Sequence, residues 1–456
     1  MNGNRTTPPA TLRFIPAGLV ALLPRLRRTR AGLIALIICI PLPLQAQRAS
    51  REAQIAASVA RHETAILEAR HTIHANPELG NREFETAALV AEHLQGLGLE
   101  VRTGVAHTGV IALLRGGRPG PVVAVRADMD ALPVTEQTDL PFASTKRTVY
   151  NGLEVGVMHA CGHDIHTSVQ LGVASVLTDL RDEIPGTVLF IFQPAEEGAP
   201  PGEEGGAELI LAEGIFEEYG PQAVFGLHIT PDLPVGTVGY AAGPALAAVD
   251  HFWITVTGRQ SHGAAPHQGV DPIVTASQVV LALQTITSRT LDPLQPCVVT
   301  VGMIHGGERF NIIPEAVRLE GTVRTYDPDV RETAERRMNE ITAGVTAAAG
   351  ARYELLYERG SPATINDPGL AEQMVPTARQ ILGAGRVIEG PPVMAGEDFA
   401  FYALEVPGFF YWLGAHREDT VTGPLHSPTL RADDSAIAVG MRVMSNLLID
   451  YLELHR

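Results

Sequence analysis

Cysteine is scarce in this sequence, and its scarcity excludes a disulfide framework. The chain has 456 residues and 3 cysteines. Cys39 lies in an apolar N-terminal segment, which leaves Cys161 and Cys297 for the rest of the chain. These two could form one bridge in an oxidising compartment, but they cannot make the cross-linked scaffold of small secreted domains.

Positive charge is in deficit as well. The sequence has 34 lysines and arginines against 51 aspartates and glutamates, a formal net charge of -17. Binding to a phosphate backbone depends on clustered basic residues, so this composition argues against a nucleic-acid partner. Repeats of solenoid or coiled-coil length are also missing, which excludes an array architecture.

The sequence has no apolar run that would comfortably span a bilayer, and the one near the N-terminus is short. A cluster of arginines precedes the apolar residues 31–40, and Leu44-Gln45-Ala46 follows them as a small-residue cleavage site. This order is typical of a secretory signal peptide, here residues 1–46, and predicts a periplasmic or secreted protein without a stable membrane span. Two readings stay open: an uncleaved anchor, or a misplaced start codon and a cytoplasmic protein.

The length indicates two domains, or one domain with a large insertion. Apolar runs rich in β-branched residues alternate with helical patterns, which predicts an α/β fold: a three-layer domain with a mixed sheet between helices. Asp128, Glu196, Glu197 and His228 each follow such a run. Chemistry in α/β sheets gathers at the carboxyl ends of strands, so these residues are the first indication of a site.

The pattern changes near Ala245. From there the predicted elements follow the order β-α-β-β-α-β, which is typical of a ferredoxin-like α+β unit. We therefore predict an inserted lid or dimerisation domain over residues 245–358. It would interrupt a discontinuous catalytic domain formed by residues 50–244 and 359–456.

Two short segments carry metal-ligand chemistry. In the first, Cys161 and His163 are two residues apart, so in an extended chain both would point to one side. Thiolate and imidazole are ligands for zinc and similar transition metals. In the second, Glu196 and Glu197 are adjacent carboxylates after an apolar strand, so one could bind metal while the other faces a metal-bound water. His228 and His426 are single histidines and carry little weight alone.

Together these residues belong to a set of motifs in a particular order. The motifs are His159-Ala160-Cys161-Gly162-His163-Asp164, Gln193-Pro194-Ala195-Glu196-Glu197-Gly198, Gly226-Leu227-His228 and His426-Ser427-Pro428, accompanied by Asn76-Pro77-Glu78-Leu79-Gly80, Arg126-Ala127-Asp128-Met129-Asp130-Ala131-Leu132-Pro133, Ser261-His262-Gly263-Ala264-Ala265-Pro266-His267, Asn311-Ile312-Ile313-Pro314 and Glu397-Asp398-Phe399. They resemble those of the aminoacylase-like di-metal amidohydrolases, and most closely the branch of hippurate hydrolases and auxin–amino-acid conjugate hydrolases. The resemblance extends from about residue 60 to the end.

The resemblance implies a ligand set for two divalent ions per chain: zinc, manganese, cobalt or nickel. Cys161 would bridge the two ions. His163 and His228 would complete one site, and Glu197 and His426 the other. A thiolate held by metal would not be free for a disulfide.

It also implies roles around the metals. Glu196 would be the general base and acid, and Asp130 would orient a ligand histidine. His262, reaching from the inserted domain, would hold the oxyanion. Asn311 and Arg324 would bind a substrate carboxylate, because guanidinium groups suit carboxylates. His267 would be a further substrate-binding residue, and Glu397 is a candidate near the site without an assigned role.

The expected reaction is hydrolysis of the amide bond in an N-acyl amino acid or amino-acid conjugate, giving a carboxylic acid and a free amino acid. A dipeptidase or an N-acetyl-amino-acid deacetylase fits the same motifs, because the metal motifs do not encode the acyl pocket. A non-catalytic binding protein for such conjugates would not need Glu196 beside the ligands. Edge strands of the inserted domain could pair across a two-fold axis, so a homodimer is a further expectation.

Overall fold

The computed structural model describes residues 42–417 and 419–456, with side chains from residue 48 onward. Ala49–Arg456 forms one compact unit. The predicted signal peptide, residues 1–46, therefore lies outside the described residues except for the backbone of 42–46. None of the helices in these ranges combines the length and the apolar character that a bilayer crossing requires.

Ten α-helices are present in the described residues. They are α1 Leu42–Ala75, α2 Phe84–Gly96, α3 His163–Asp179, α4 Gly206–Ala212, α5 Ile215–Tyr219, α6 Pro272–Leu283, α7 Pro328–Ala349, α8 Pro368–Leu382, α9 Phe399–Glu405 and α10 Ser435–Leu454. Three of them, α6, α7 and α8, begin with the same dipeptide, Asp-Pro. In each the aspartate accepts backbone N–H groups of the first turn, and the proline occupies a position whose N–H has no helical partner.

The same residues form eighteen strands. They are β1 Glu100–Val105, β2 Gly109–Arg115, β3 Arg118–Asp128, β4 Arg147–Tyr150, β5 Leu153–Gly156, β6 Pro185–Gln193, β7 Val224–Pro234, β8 Val238–Tyr240, β9 Gly243–Leu246, β10 Ala248–Thr257, β11 Ser261–His262, β12 Cys297–Gly306, β13 Ile312–Ile313, β14 Ala316–Thr325, β15 Arg352–Arg359, β16 Thr364–Asn366, β17 Val387–Glu389 and β18 Gly408–His416.

The larger sheet has eight strands in the order β1-β2-β6-β3-β7-β18-β8-β17. Its centre, from β6 to β18, is parallel, and antiparallel pairs flank it. Both faces are buried, because alternate residues of one strand enter different cores. In β6, Val188, Phe190 and Phe192 join the core with α2, α3, α8 and α10. Leu189 and Ile191 join the core with α4 and α9. The predicted three-layer domain with a mixed sheet is confirmed.

The smaller sheet has four antiparallel strands in the order β12-β14-β10-β15. Helices α6 and α7 share a buried core with it. The chain order β10-α6-β12-β14-α7-β15 is the ferredoxin-like order that the sequence predicted. These elements span residues 248–359, whereas the predicted inserted domain spans 245–358. The domain limits themselves stay a prediction.

Three local expectations were wrong. The apolar pattern predicts a helix over residues 169–180, but α3 begins at His163, because the polar residues of its first turn are buried at the sheet edge. Strand β7 does not end at His228 but continues to Pro234, since β18 pairs with it over that length. The hairpin of β4 and β5 was not predicted, and its outward-facing side chains give no core pattern.

A substitution at Gly321 tests how tightly the smaller sheet is packed. A Cβ at Gly321 would collide with the carbonyl oxygen of Thr300 and the ring of Phe252, both parts of the sheet and its core. Gly321→Ala should therefore lower the free energy of unfolding by about 1–3 kcal/mol, the usual cost of overpacking. Chemical denaturation measures the change. Gly302→Ala on neighbouring β12 is the control, because the nearest atom to its Cβ would be 3.9 Å away. Equal effects of the two substitutions would contradict this account.

Candidate metal centre

A buried arginine organises the carboxyl ends of β3 and β6. The guanidinium of Arg126 donates to Gln193 Oε1 at 2.8 Å and to Asp128 Oδ2 at 2.7 Å. It also reaches Asp398 Oδ1 at 2.7 Å and Glu397 Oε1 at 3.0 Å. Asp398 and Glu397 come from the segment just before α9. One side chain therefore holds together the ends of two strands and a distant part of the chain.

Asp128, which Arg126 holds in place, in turn positions His166. The Oδ1 atom of Asp128 lies 2.7 Å from His166 Nδ1, and His166 Nε2 accepts the backbone N–H of Ile229 at 2.8 Å. Both nitrogens of His166 are thus occupied. Although Asp128, His163 and His166 lie close enough to hold an ion, His166 has no lone pair left for one. Its position favours a supporting role.

The turn that carries Cys161 and His163 is tight. Gly162 adopts φ 90°, and a Cβ there would collide with the side chain of Ile229. Glycine is therefore required between the two residues. The expectation that an extended chain aims Cys161 and His163 to one side was wrong: His163 is the first residue of α3. The helix and the left-handed turn together bring the two side chains to the same centre.

Helix α1 anchors the start of α3. The carboxylate of Asp164, which is buried, accepts from Arg70 Nε at 2.9 Å and lies 2.9 Å from His74 Nδ1. Burial opposes ionisation of Asp164, but Arg70 and His74 outweigh it and hold its pKa well below the usual range. The next residue after His163 is thus fixed by a charged, fully buried contact.

Asp130 connects two different arms of the site. Its Oδ1 atom lies 3.1 Å from His163 Nδ1, and its Oδ2 atom accepts the backbone N–H of Glu197 at 3.0 Å. The first contact leaves His163 Nε2 as the nitrogen that faces the centre, and Nε2 has no hydrogen-bond partner. One carboxylate therefore orients a helix residue and a loop residue toward the same point.

Two groups of three potential ligands meet at Cys161. One consists of Cys161, His163 and His228, and the other of Cys161, Glu197 and His426; the ligand atoms in each lie within 4.8 Å of one another. The sulfur of Cys161 is 3.2 Å from the Nε2 atom of His228 and also 3.2 Å from that of His426. These are the two ligand sets that the sequence predicted, with the cysteine common to both.

The hydrogen-bond geometry fits metal ligation. His228 Nδ1 lies 2.6 Å from the carbonyl oxygen of Ile229 and must be its donor, so Nε2 keeps its lone pair. Burial, with His166 nearby, lowers the pKa of His228 well below the usual value, which keeps the ring neutral. His426 Nε2 and Glu197 Oε1 are 3.1 Å apart, yet that buried oxygen has no hydrogen bond. Both atoms face a common point instead.

The charge balance of the centre also favours cations. Burial raises the pKa of Glu397 to about 7, with Arg126 opposing the shift. Burial and the neighbouring carboxylates Glu197 and Glu196 raise the pKa of the Cys161 thiol well above its usual value. A thiolate at this position therefore needs positive charge beyond Arg126, which two divalent ions supply.

Glu196 lies next to the proposed ligands but belongs to neither of these two groups. Its Oε2 atom lies 3.9 Å from His163 Nε2. Burial, followed by the charges of Glu397 and Glu197, raises the pKa of Glu196 well above the usual carboxyl value. The side chain faces a cleft of about 890 Å³ that Cys161, Glu197, His426 and Arg324 also line. We call this space the arginine cleft.

The structure does not bring every predicted residue to this cleft. Arg324 lines it from β14, but His262, His267 and Asn311 do not. His262 is exposed on β11, and the backbone N–H of the next residue, Gly263, donates to the carbonyl oxygen of Asn311 at 2.8 Å. These two predicted residues thus lie together, away from the cleft. The predicted roles of His262, His267 and Asn311 stay predictions.

Sequence reasoning missed several residues that support the proposed ligands. Arg126 and Asp398 stood in motifs without any role, Asp128 was noted only for following an apolar run, and Gln193 only as part of a motif. The available signal was a charged pair, Arg126 and Asp128, at the end of a strand too apolar to be exposed. A buried arginine needs carboxylate partners, and Asp128 and Asp398 lie two and 272 residues further along the chain.

Comparison with known proteins identifies the family. A family model described as peptidase family M20/M25/M40 matches residues 124–450, which include all five predicted ligands. The chain belongs to this family. The resemblance noted from the motifs is thereby confirmed, and so is an enzyme that hydrolyses amide bonds with two metal ions per chain.

Individual relatives agree with the assignment. The N-acetyl-L-cysteine deacetylase of Bacillus subtilis (strain 168) is 40% identical over 375 residues, 82% of this chain and 85% of that protein. The IAA-amino acid hydrolase ILR1-like 2 of Arabidopsis thaliana is 36% identical over 396 residues, 85% of each chain. The crystal structure of the Bacillus subtilis YXEP protein, a dinuclear metal binding peptidase from the M20 family, superposes with a TM-score of 0.74 at 35% identity. It covers 86% of this chain and 99% of that one.

Asp130 offers a test of the M20 metal centre that does not depend on turnover. Asp130→Asn replaces one of two accepting oxygens by a donor, so either His163 or the backbone of Glu197 loses its contact. Metal affinity should fall about 10- to 100-fold, as for other residues that orient ligands. Titration of the metal-free protein against a competing chelator measures it. Asp232→Asn, an exposed change four residues after His228, is the control and should leave affinity unchanged. An unaltered affinity in Asp130→Asn would contradict the connecting role.

Proposed function

We propose that this M20 protein cleaves the amide bond of N-acyl amino acids or amino-acid conjugates and releases a carboxylic acid and a free amino acid. The observation that supports it most is a single cleft lined by four of the five proposed ligands, by Glu196 and by Arg324, whose guanidinium has no ion pair with any described residue. The B. subtilis relative is named for deacetylation of N-acetyl-L-cysteine, and the Arabidopsis relative for IAA–amino acid hydrolysis. Both names describe substrates of this chemical class.

Glu196 is the proposed proton carrier. The two ions, when bound, polarise the substrate carbonyl and make a water acidic enough to attack at neutral pH. Glu196 then accepts a proton from the attacking water and donates it to the nitrogen of the leaving amine. A pKa above that of an ordinary carboxyl suits a group that must both take and return a proton.

Arg324 is the proposed anchor of the substrate carboxylate. Its guanidinium lines the cleft and has no hydrogen bond or ion pair within the described residues, whereas Arg126 and Arg331 are bound to carboxylates. Partial burial lowers the pKa of Arg324, with Asp250 opposing the shift. A half-buried guanidinium without a partner is a costly arrangement that a substrate carboxylate would relieve.

The metal and the compartment are part of the proposal. The sulfur of Cys161 and the imidazole nitrogens favour zinc, nickel or cobalt, and manganese is a further candidate. Export through the N-terminal segment is proposed from the arginine-rich and apolar order of residues 1–46 alone.

A dipeptidase is the second candidate function, because the arginine cleft would also accept a dipeptide carboxylate.

Glu196→Gln tests the mechanism. The amide keeps the shape of the side chain but cannot take the proton, so turnover should fall by about 10²–10⁴-fold or more while both metals stay bound. Amine release would be measured with N-acyl amino acids, dipeptides and N-acyl amino acid amides, after reloading with zinc, manganese, cobalt or nickel. Glu217→Gln, exposed on α5, is the matched control. Metal-independent release, or equal release from the carboxylate-free amides, would contradict the proposal, as would an active Glu196→Gln.

We also propose a homodimer formed through the smaller sheet. Strand β12 is at the edge of that sheet and exposes Met303 and Ile304, and the side chains of Leu281 on α6 and Phe310 are 72% and 96% exposed. Unpaired edges and contiguous apolar surface favour association. Phe310 directly precedes Asn311, so an interface here would carry His262 and Asn311 toward the other copy.

A mixing experiment decides whether His262 serves its own cleft. His262→Ala should lower turnover by about 10²–10³-fold if it stabilises the oxyanion. When this variant is mixed and reassembled with Glu196→Gln, activity should return, because each mixed dimer then has one cleft with Glu196 and an intact His262 from the other copy. Light scattering would establish the dimer beforehand. Mixtures as inactive as their components would show that His262 acts within one chain, or not at all.

A further inference from the structure

The two adjacent glutamates of the metal centre lie in a short turn after β6. Glu196 and Glu197 are its central residues, and the hydrogen bond from the backbone N–H of Gly198 to the carbonyl oxygen of Ala195, at 3.3 Å, closes it. We call residues 195–198 the glutamate turn. Ala195 adopts φ 51°, a left-handed conformation that is unfavourable for a residue with a side chain. Such a conformation persists only where the surroundings hold it.

Two buried carboxylates from other parts of the chain hold the backbone on either side of Glu196. Asp130 Oδ2 accepts the N–H of Glu197 at 3.0 Å. Glu83 Oε1 accepts the N–H of Ala195 at 2.9 Å. The residue proposed to carry the proton is therefore fixed at both of its neighbours, and the contact with Glu83 is the one at the residue with the unfavourable φ angle.

The side chain of Glu83 does not cap the helix that it precedes. Glu83 is the N-cap residue of α2, but its carboxylate makes no capping hydrogen bond among the described residues. Glu78 takes that role, because its carboxylate accepts the N–H groups of Glu85 and Thr86 at 3.1 and 2.9 Å. The fully buried carboxylate of Glu83 bonds instead to the glutamate turn and to the hydroxyl of Thr108, the latter at 2.5 Å. Burying a carboxyl is costly, and here helix capping does not account for it.

The segment that carries Glu83 also packs against the glutamate turn. A Cβ at Gly80 would lie 2.7 Å from the carbonyl oxygen of Gly198, so the two backbones are in close contact. Asn81 Nδ2 donates to the carbonyl oxygen of Glu204, in the loop that continues from the turn, at 2.9 Å. This segment is therefore one wall of the turn, and Glu83 is its hydrogen bond to the backbone that precedes Glu196.

We infer that Glu83 is a positioning residue for the proton carrier: by holding the N–H of Ala195, it fixes the turn that directs Glu196 into the arginine cleft. The inference rests on the proposed function of Glu196. Within the described part of the chain, none of the hydrogen bonds of Glu83 involves a proposed ligand, and Asp130 holds Glu197 separately. Loss of Glu83 should therefore affect the chemical step rather than metal binding. Misplacing a reacting group by about 1 Å can lower a rate about 100-fold.

Substitutions of Glu83 separate positioning from stability. Glu83→Met has nearly the same length but no oxygen to accept an N–H, so kcat should fall about 10-fold or more while KM and metal affinity change less than about 2-fold. Glu83→Gln keeps an oxygen for Ala195, so its kcat should stay within about 3-fold of the wild-type value. Burial, with the charge of Asp130, raises the pKa of Glu83 to about 8, so a neutral side chain suits this position.

Two measurements check these expectations. Steady-state kinetics would use the metal-loaded enzyme and the N-acyl amino acid that the wild-type protein cleaves fastest. Hydrogen exchange of the metal-free protein would follow the peptide that contains residues 194–198, which should exchange faster in Glu83→Met than in Glu83→Gln. If Glu83→Met does not fold, Glu83→Asp replaces it. The aspartate retains the charge but is one methylene too short to reach the N–H of Ala195, and the same effects are expected.

Glu78→Met is the matched control. It removes a carboxylate of the same segment that also accepts backbone N–H groups, but these belong to α2 rather than to the glutamate turn. The control should lower the Tm and leave kcat unchanged. A normal kcat in Glu83→Met, or a loss of kcat that Glu83→Gln shares, would overturn the positioning role while amide hydrolysis stands. A wild-type enzyme that releases no amine with any metal would overturn the proposed function, and the positioning of Glu196 with it.

Discussion

The organisation of this protein depends on one electrostatic constraint: the burial of several carboxylates at the ends of parallel strands. Asp128, Asp130 and Glu397 are each at most 2% exposed. Buried charge is tolerated only when it is paired. Arg126 pairs with three carboxylates, but it cannot reach Asp130, Glu196 or Glu197 as well. Two divalent ions would balance the negative charge that Arg126 does not, so the metals would stabilise the folded structure as well as supply the chemistry.

The same constraint explains why the ligands come from distant parts of the sequence. A parallel sheet aligns the carboxyl ends of its strands at one edge, so β3, β6 and β7 deliver polar residues to one place. Side chains from different elements are then positioned by hydrogen bonds that join those elements. Asp130, two residues after β3, orients His163 on α3 and the backbone of Glu197, while His166 joins Asp128 to β7. His163 and Glu197 are thus held by a neighbour that is itself buried and bonded.

Much of this could be predicted, and the parts that could not have physical reasons. Alternation and strand length indicated both sheets, and the motif order indicated the five proposed ligands, which the structure brings together in two groups. Helix α3 was placed too late because His163, Asp164 and His166 look solvated in sequence but are buried by Arg70 and Asp128. The distance between His262 and the cleft depends on how the smaller sheet is placed, and no local pattern encodes it. The hairpin of β4 and β5 was not predicted, because its side chains are mostly exposed and its sequence therefore has no core pattern.

The packing separates the parts of the chain that can change from those that cannot. The proposed ligands and Glu196 lie at or beyond the ends of the central strands and on α3, where a change in one contact disturbs several others. The hairpin of β4 and β5 lies on the surface, where Val149 and Leu153 are 70% and 69% exposed. Surface elements on a rigid scaffold tolerate substitution for this reason. The hairpin can therefore change in sequence while the metal centre, whose residues are mostly buried and are bonded to one another, cannot.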